Sequence, residues 1–231
     1  MTENPWVTIL TPVFNGIEYF EECYNGIINQ TEQGEGEKEG EGEGEGEGEG
    51  EGEKEWLWII GINGHNDTII YDRIKHLATE RIIIKQYNTI GKVNTLNEMM
   101  KEVNTDYVAL CDVDDIWFPN KLELQKMFVE KYPFIDVFAT GLQYIGEMNH
   151  VLELPHGFVT IDMLSKINPV VNSSVIIKKE IAFWEDRFGL EDYDLWFRCL
   201  LNKKKFIQFQ NHLFIIEYIK IHISIILENK T

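Results

Sequence analysis

Four short apolar runs in the first half of the chain constrain its fold more than any other feature. Trp6 to Leu10 lies between Pro5 and Pro12, and Trp56 to Ile62, Ile82 to Tyr87 and Tyr107 to Cys111 follow, with helical patterns separating them. Apolar runs of about 4–8 residues read as strands buried on both faces, and strands alternating with helices build a largely parallel sheet that helices cover on both sides. The fold class is therefore α/β. After the first run, Asn15 is placed to cap a helix, with Glu18 three residues on completing an Asn-x-x-Glu capping box. Ile17, Phe20, Tyr24, Ile27 and Ile28 give that helix one apolar face.

One segment breaks the rhythm. From Gly34 to Glu55 the chain reads GEGEKEGEGEGEGEGEGEGEKE, without a hydrophobic residue. Such a tract buries no apolar surface, loses much glycine entropy on ordering and repels itself, so it reads as a disordered insertion in a single domain spanning 1–231. It joins the first helix to the second strand, at the amino ends of the parallel strands, whereas ligands bind beyond their carboxyl ends. The insertion is thus expected to sit away from any active site. It also distorts the composition. The whole chain carries a formal charge of −18, but the segment 32–55 alone carries −10, and the rest is about half apolar.

Charge and hydropathy exclude several functions. A pI near 4.7 and the lack of basic residues clustered with aromatics argue against nucleic-acid binding. The N-terminus has no basic start followed by an apolar run, and Leu213 to Leu227 is interrupted by Glu217, Lys220 and His222, so neither a secretory signal nor an integral membrane span is expected. Cys23, Cys111 and Cys199 sit singly in apolar patterns and are odd in number, which fits reduced core thiols and a cytoplasmic location.

The chemistry concentrates after the fourth run, where YVALC passes into Asp112-Val113-Asp114-Asp115. Three acids in four residues repel one another unless a cation is shared, and carboxylate oxygens suit hard Mg²⁺ or Mn²⁺. The alternative is an acidic turn capping a helix that begins near Pro119. A second acidic pair, Glu191-Asp192 in GLEDYDLWFRCL, precedes a helical apolar face of Tyr193, Trp196, Phe197, Leu200 and Leu201. Dipole complementarity at a helix start explains such acids equally well, at about 0.3–1 kcal/mol each.

Taken together, VTILTPVFNGIEYFEECYNGIINQT, WIIGINGHNDT, GKVNTLNEMMKEVNTDYVALCDVDD and GLEDYDLWFRCL resemble the family 2 glycosyltransferases in order and spacing. The resemblance spans nearly the whole chain apart from the insertion. It implies the GT-A fold, a Rossmann-like, mostly parallel central sheet with helices on both faces. It also implies inverting, metal-dependent transfer of a sugar from a nucleoside diphosphate, most simply a UDP-sugar, to a hydroxyl of a glycan, protein or lipid-linked acceptor. Thr11, Pro12, Val13 and Phe14 match the loop that lines the base, although Phe14 also suits a core. Asn63 stands where the family usually has an acid facing the base; its other reading is a turn residue beside Gly64. Asn97 and Lys92 lie in the segment that approaches the donor, where Lys92 offers charge to a diphosphate or is simply a solvated lysine. The arginine common before Asn97 is replaced by Leu96. Within the DxD motif, Asp112 and Val113 are expected to face the ribose and metal region, Asp114 to hold the cation, and Asp115 to stabilise the loop. Asp192 is the expected general base, with Glu191 orienting it or the acceptor. His222, in a segment similar to the family's closing Arg-x-His with Lys220 in the arginine position, is a third candidate metal ligand or a core histidine. Asn172, Ser173 and Ser174 are candidates for hydrogen bonds to sugar hydroxyls.

Two other classes remain at this level. The departures at Asn63, Leu96 and Lys220 also suit a catalytically silent sugar-nucleotide-binding module. A nucleotidyltransferase shares the sheet and the acids, but TPVFNG is not its glycine-rich phosphate loop.

Overall fold

The computed structural model describes residues 5–31, 55–64, 68–146, 150–187 and 189–218. The tract 34–54, and the segment 219–231 with Lys220 and His222, lie outside the described residues.

Strands β1 (Val7–Val13), β2 (Trp56–Asn63), β3 (Ile82–Tyr87) and β4 (Tyr107–Leu110) coincide with the four apolar runs to within three residues at either end. They lie in the order β3-β2-β1-β4, every neighbouring pair parallel. Helices α1 (Phe20–Ile28), α2 (Thr68–Ile74) and α3 (Lys92–Met100) make the crossovers. Beyond β4 the sheet becomes mixed. After β5 (Asp115–Trp117) and α4 (Lys121–Lys131) come β6 (Val137–Gly146), β7 (His150–Leu152), β8 (Gly157–Phe158), α5 (Ile161–Lys166), β9 (Ile176–Lys178), α6 (Glu191–Leu201) and β10 (Phe206–Tyr218). The order continues β4-β9-β6-β10-β5, with β9 antiparallel to both β4 and β6, and β10 parallel to β6 but antiparallel to β5.

Alternation along the strands divides the core into two layers. Val7, Ile9 and Val13 of β1 and Trp58, Ile60 and Ile62 of β2 pack with Phe20, Cys23 and Ile27 of α1 and Leu122 of α4. Leu10 and Ile59 face the other way, toward Leu96 and Met99 of α3 and Leu195 and Trp196 of α6. Side chains two apart on a strand share a face, so each strand here serves both helical layers. Gly61 of β2 is required by this packing: a Cβ there would lie 2.4 Å from Met99 Sδ.

The start of α1 differs from expectation. Gly16, at φ +78°, precedes a short 3₁₀ turn at Ile17–Tyr19, and neither this turn nor α1 receives a side-chain cap, so Asn15 does not form the capping box. A glycine that adopts the left-handed region turns the chain without one. The same Gly16 would place a Cβ 3.0 Å from Val113 Cγ1, so the loop after β1 packs directly on the acidic turn.

Candidate functional site

The carboxyl ends of β1, β2 and β4 and the amino ends of α3 and α6 meet in one region. Asp112 follows β4, and its carboxylate is held from two sides. Lys92, the first residue of α3, places Nζ 2.8 Å from Oδ1 and 2.9 Å from Oδ2, and Asn172 Nδ2 donates to Oδ2 at 3.2 Å. Lys92 Nζ also lies 4.0 Å from Glu191 Oε1. The two acidic motifs, nearly 80 residues apart in sequence, therefore share one ammonium. Burial opposes the charge on Lys92, but the Asp112 charge and hydrogen bond, with Glu191 and Asp192 behind them, hold its pKa above the usual lysine value. A cation at a helix start is otherwise unfavourable by about 0.3–1 kcal/mol, so its placement there needs these acids.

Asp192 stands in the first turn of α6 with Oδ1 accepting from its neighbour's backbone, Tyr193 N, at 2.8 Å. Burial pushes its carboxyl above the ordinary aspartate range; the Tyr193 N–H and Lys92 oppose the rise, while Glu191 and Asp112 add to it. Asp114 is exposed at the tip of the turn, whereas Asp115 is buried in β5. Burial, followed by the charges of Asp112 and Asp114, raises the Asp115 pKa well above normal against a hydrogen bond with Ser173 and the charge of Lys92. The three acids thus separate: Asp112 and Asp114 border the open side, and Asp115 belongs to the interior.

The structure revises several sequence-based assignments. Thr11 is fully buried and its Oγ1 accepts from Trp58 Nε1 at 2.9 Å, so its side chain serves the core and not a ligand. Val13 and Val113 are also buried, leaving only their backbones to meet one. Asn97 is a clip: Nδ2 donates to Trp184 O at 2.8 Å and Oδ1 accepts from Trp184 N at 3.1 Å, fixing the segment that leads to Glu191. Ser173 and Ser174 are fully buried braces. Ser173 Oγ accepts from Asp112 N at 2.9 Å, Ser173 O accepts from Trp117 Nε1 at 3.0 Å, and Ser174 Oγ donates to Val171 O at 2.6 Å. Below them, Gln125 Nε2 donates to Ser174 O, and Gln125 Oε1 accepts from Lys121, a fully buried ammonium 4.0 Å from the Trp117 ring centroid. Burial lowers Lys121 to about 7. Sequence patterning missed this lysine, because the first residue of a helix reads as solvent-facing.

A second cluster lies at the ends of β1 and β2. Phe14 is 65% exposed, so it is not a core residue, and its ring lies 3.7 Å from where a Gly64 Cβ would be. Beside it, Asn63 is buried with Oδ1 lacking a hydrogen-bond partner among the described residues. An exposed aromatic face next to an unpaired buried acceptor suits a planar group that stacks and carries an N–H.

Among the described residues no three His, Cys, Asp or Glu side chains are gathered as a ready metal cage. The donor set nevertheless fits a hard divalent cation. Asp112 and Asp114 offer carboxylate oxygens on one turn, and the Lys92 ammonium on Asp112 marks the place as one that holds positive charge. His222 falls outside the described residues.

Comparison with known proteins bears on this arrangement. The model of the family "Glycosyl transferase family 2" matches residues 70–179, which include Lys92, Asp112, Asp114 and Asn172. Over that stretch the chain is similar to the glycosyltransferases of family 2. An uncharacterized glycosyltransferase of Methanocaldococcus jannaschii is 25% identical over 217 residues, covering 88% of this chain and 68% of the relative. In fold, the domain is similar to S. aureus TarS in complex with UDP-GlcNAc, at TM-score 0.68 and 13% identity over 93% of this chain and 59% of that one. It is also similar to the mannosyltransferase PcManGT of Pyrobaculum calidifontis in complex with GDP-Man and Mn²⁺, at TM-score 0.62 and 12% identity over 93% and 57%. The chain thus spans less than two thirds of either solved structure, and both have the GT-A fold. No described helix is long and apolar enough to cross a membrane.

Proposed function

We propose that this chain transfers a sugar from a nucleoside diphosphate, UDP first among the candidates, to an acceptor hydroxyl with inversion at the anomeric carbon. The observation that carries the reading is the ammonium of Lys92, which draws the acidic turn and the Glu191-Asp192 pair onto one centre of charge. A leaving diphosphate needs positive charge, and an attacking alcohol needs a base. Both are within reach of this centre.

In this reading the base stacks on Phe14, and the unpaired Asn63 Oδ1 accepts an N–H from it. Lys92 faces the diphosphate. Asp112 and Asp114 would hold a divalent ion, with His222 as the further candidate ligand, and such an ion, when bound, supplies positive charge to the leaving group. Asp192 takes the acceptor proton while the oxygen so freed forms the new bond to the anomeric carbon and the bond to the diphosphate breaks. Its raised pKa makes it a better base than an ordinary aspartate. Displacement without a protein nucleophile is a single step, which is why inversion is expected. Glu191 orients the acceptor or Asp192. The Asn172 amide braces Asp112, a positioning role that replaces contact with sugar hydroxyls. The acceptor class, whether glycan, protein or lipid-linked, is left to experiment.

A donor screen across UDP-, GDP- and dTDP-sugars with Mn²⁺ or Mg²⁺, read by nucleotide release with a broad acceptor panel, tests the proposal. Release from a UDP-sugar supports it. Release from none, combined with calorimetric binding of UDP, replaces it with a silent sugar-nucleotide-binding module.

A further inference from the structure

The Lys92–Asp112 pair has an unusual form for a surface contact. The ammonium straddles both carboxylate oxygens, at 2.8 and 2.9 Å, and Asn172 takes one of the same oxygens at 3.2 Å. Asp112 therefore already holds a cation, in the place where an incoming divalent ion would meet the first acid of the motif. The lysine side chain keeps 37% of its surface exposed, so the pair opens toward solvent and can be exchanged. A second acid, Glu191, waits 4.0 Å away as an alternative partner. Lys92 also enters its helix directly after Gly91, at φ +92°, where a Cβ would meet nothing within 4 Å.

We propose that Lys92 is the resident counter-cation of Asp112 in the donor-free protein, competing with a divalent ion for that carboxylate and transferring its charge to the donor diphosphate when the two bind together. The proposal rests on the reading of this region as a nucleotide-sugar site, but its central claim concerns Mn²⁺ alone. Lys92 has opposite effects on the two ligands: it weakens the bare ion and strengthens the ion together with a nucleotide. A lysine that only contacts phosphate would have the second effect without the first, and a solvated surface lysine would have neither.

The test is Mn²⁺ titration of the full chain without nucleotide, followed by paramagnetic resonance of the free ion. Lys92→Gln is compared with the parent, and Asp114→Asn subtracts binding by the glutamate tract. Removing a partly exposed competing ion pair is expected to tighten Mn²⁺ by about two- to fivefold. Lys92→Arg keeps a cation on Asp112 and is expected to stay with the parent. In calorimetry with UDP and saturating Mn²⁺, Lys92→Gln is expected to bind UDP more weakly than the parent. Bare Mn²⁺ bound no more tightly by Lys92→Gln overturns the competition, and unchanged UDP affinity overturns the transfer of charge. Absence of turnover with every donor would count against the proposed function and leave the Mn²⁺ comparison intact.

Discussion

The two halves of the sheet place polar residues by different means. In the parallel half, β3-β2-β1-β4, the buried polar side chains within β1 are the isolated hydroxyls of Thr8 and Thr11, while Phe14, Asn63, Lys92, Asp112 and Asp114 gather at strand ends, in loops and at a helix start. In the mixed half, β9-β6-β10-β5, polar groups run through the interior: Ser173, Ser174, Gln125 and Lys121 are fully buried and bonded in sequence beneath the acidic turn. Among the described residues, the start of α6 brings a charged pair, Glu191 and Asp192, from that side to the rim. The first half thus carries ligand-facing groups, and the second mainly fixes where they point. A backbone N–H such as that of Asp112 stays in place because a buried acceptor from the other half receives it.

The sharpest challenge to this division is Asp192→Asn, because Asp192 is the mixed half's proposed catalytic group. Loss of a general base is expected to lower turnover by about 10²–10⁴-fold while nucleotide binding, measured by calorimetry, is retained. Loss of both together would move Asp192 into donor binding. In the parent, the acid limb of the pH profile of kcat/KM should lie above the ordinary aspartate range, since burial raises the Asp192 pKa and only the deprotonated form accepts a proton.

Next in size is Lys121→Met. The native protein releases the Lys121 proton near pH 7, while an unfolded lysine retains it to about 10.4, so the parent should gain stability as pH rises from 7 to 10. Below pH 7 the full cost of the buried charge is present. The Met variant should be more stable at neutral pH by about 1–4 kcal/mol, with the difference shrinking toward pH 10 in chemical denaturation. A constant difference across that range would show that Lys121 stays charged.

Ser173→Ala tests the brace directly. It strands the Asp112 N–H, which should cost about 1–3 kcal/mol in stability and weaken nucleotide binding in parallel. Stability lost without any change in binding would separate the two halves more fully than the contacts suggest. The smallest effect is expected from deleting residues 34–54, with kcat/KM staying within a factor of about two by the relation between rates and free energies for sites without contact. Abolished turnover in a folded deletion would join the tract to the site.

The same division explains what the sequence could reveal. Strands buried on both faces with local helical crossovers announce themselves as apolar runs, and Ile82–Tyr87 was legible to the residue. The mixed half was not, because β9 fits between β4 and β6 through pairings set by distant chain segments, and two- or three-residue strands such as β7 and β8 carry no periodicity. At the site, the convergence of the Asp112 and Glu191 motifs followed from motif order. The roles of Thr11 and Asn97 did not, since a hydroxyl on an indole N–H or an amide on a distant backbone depends on tertiary neighbours. Nor could spacing distinguish Ser173 as a brace from Ser173 as a sugar contact.

The ends of the glycine–glutamate tract carry a last consequence. Thr31 N donates to Pro119 O at 2.8 Å, Glu55 O receives Trp6 N at 2.9 Å, and the Glu55 carboxylate pairs with Lys126 at 2.6 Å, so both flanks are moored on the side of the sheet where β1 and β2 begin. A simple repeat inserted between moorings can gain or lose units without tugging on the catalytic rim, since widening such a loop is entropically cheap. Chains that differ in the number of glycine–glutamate units should therefore be equally active, and in-frame length changes there should be tolerated.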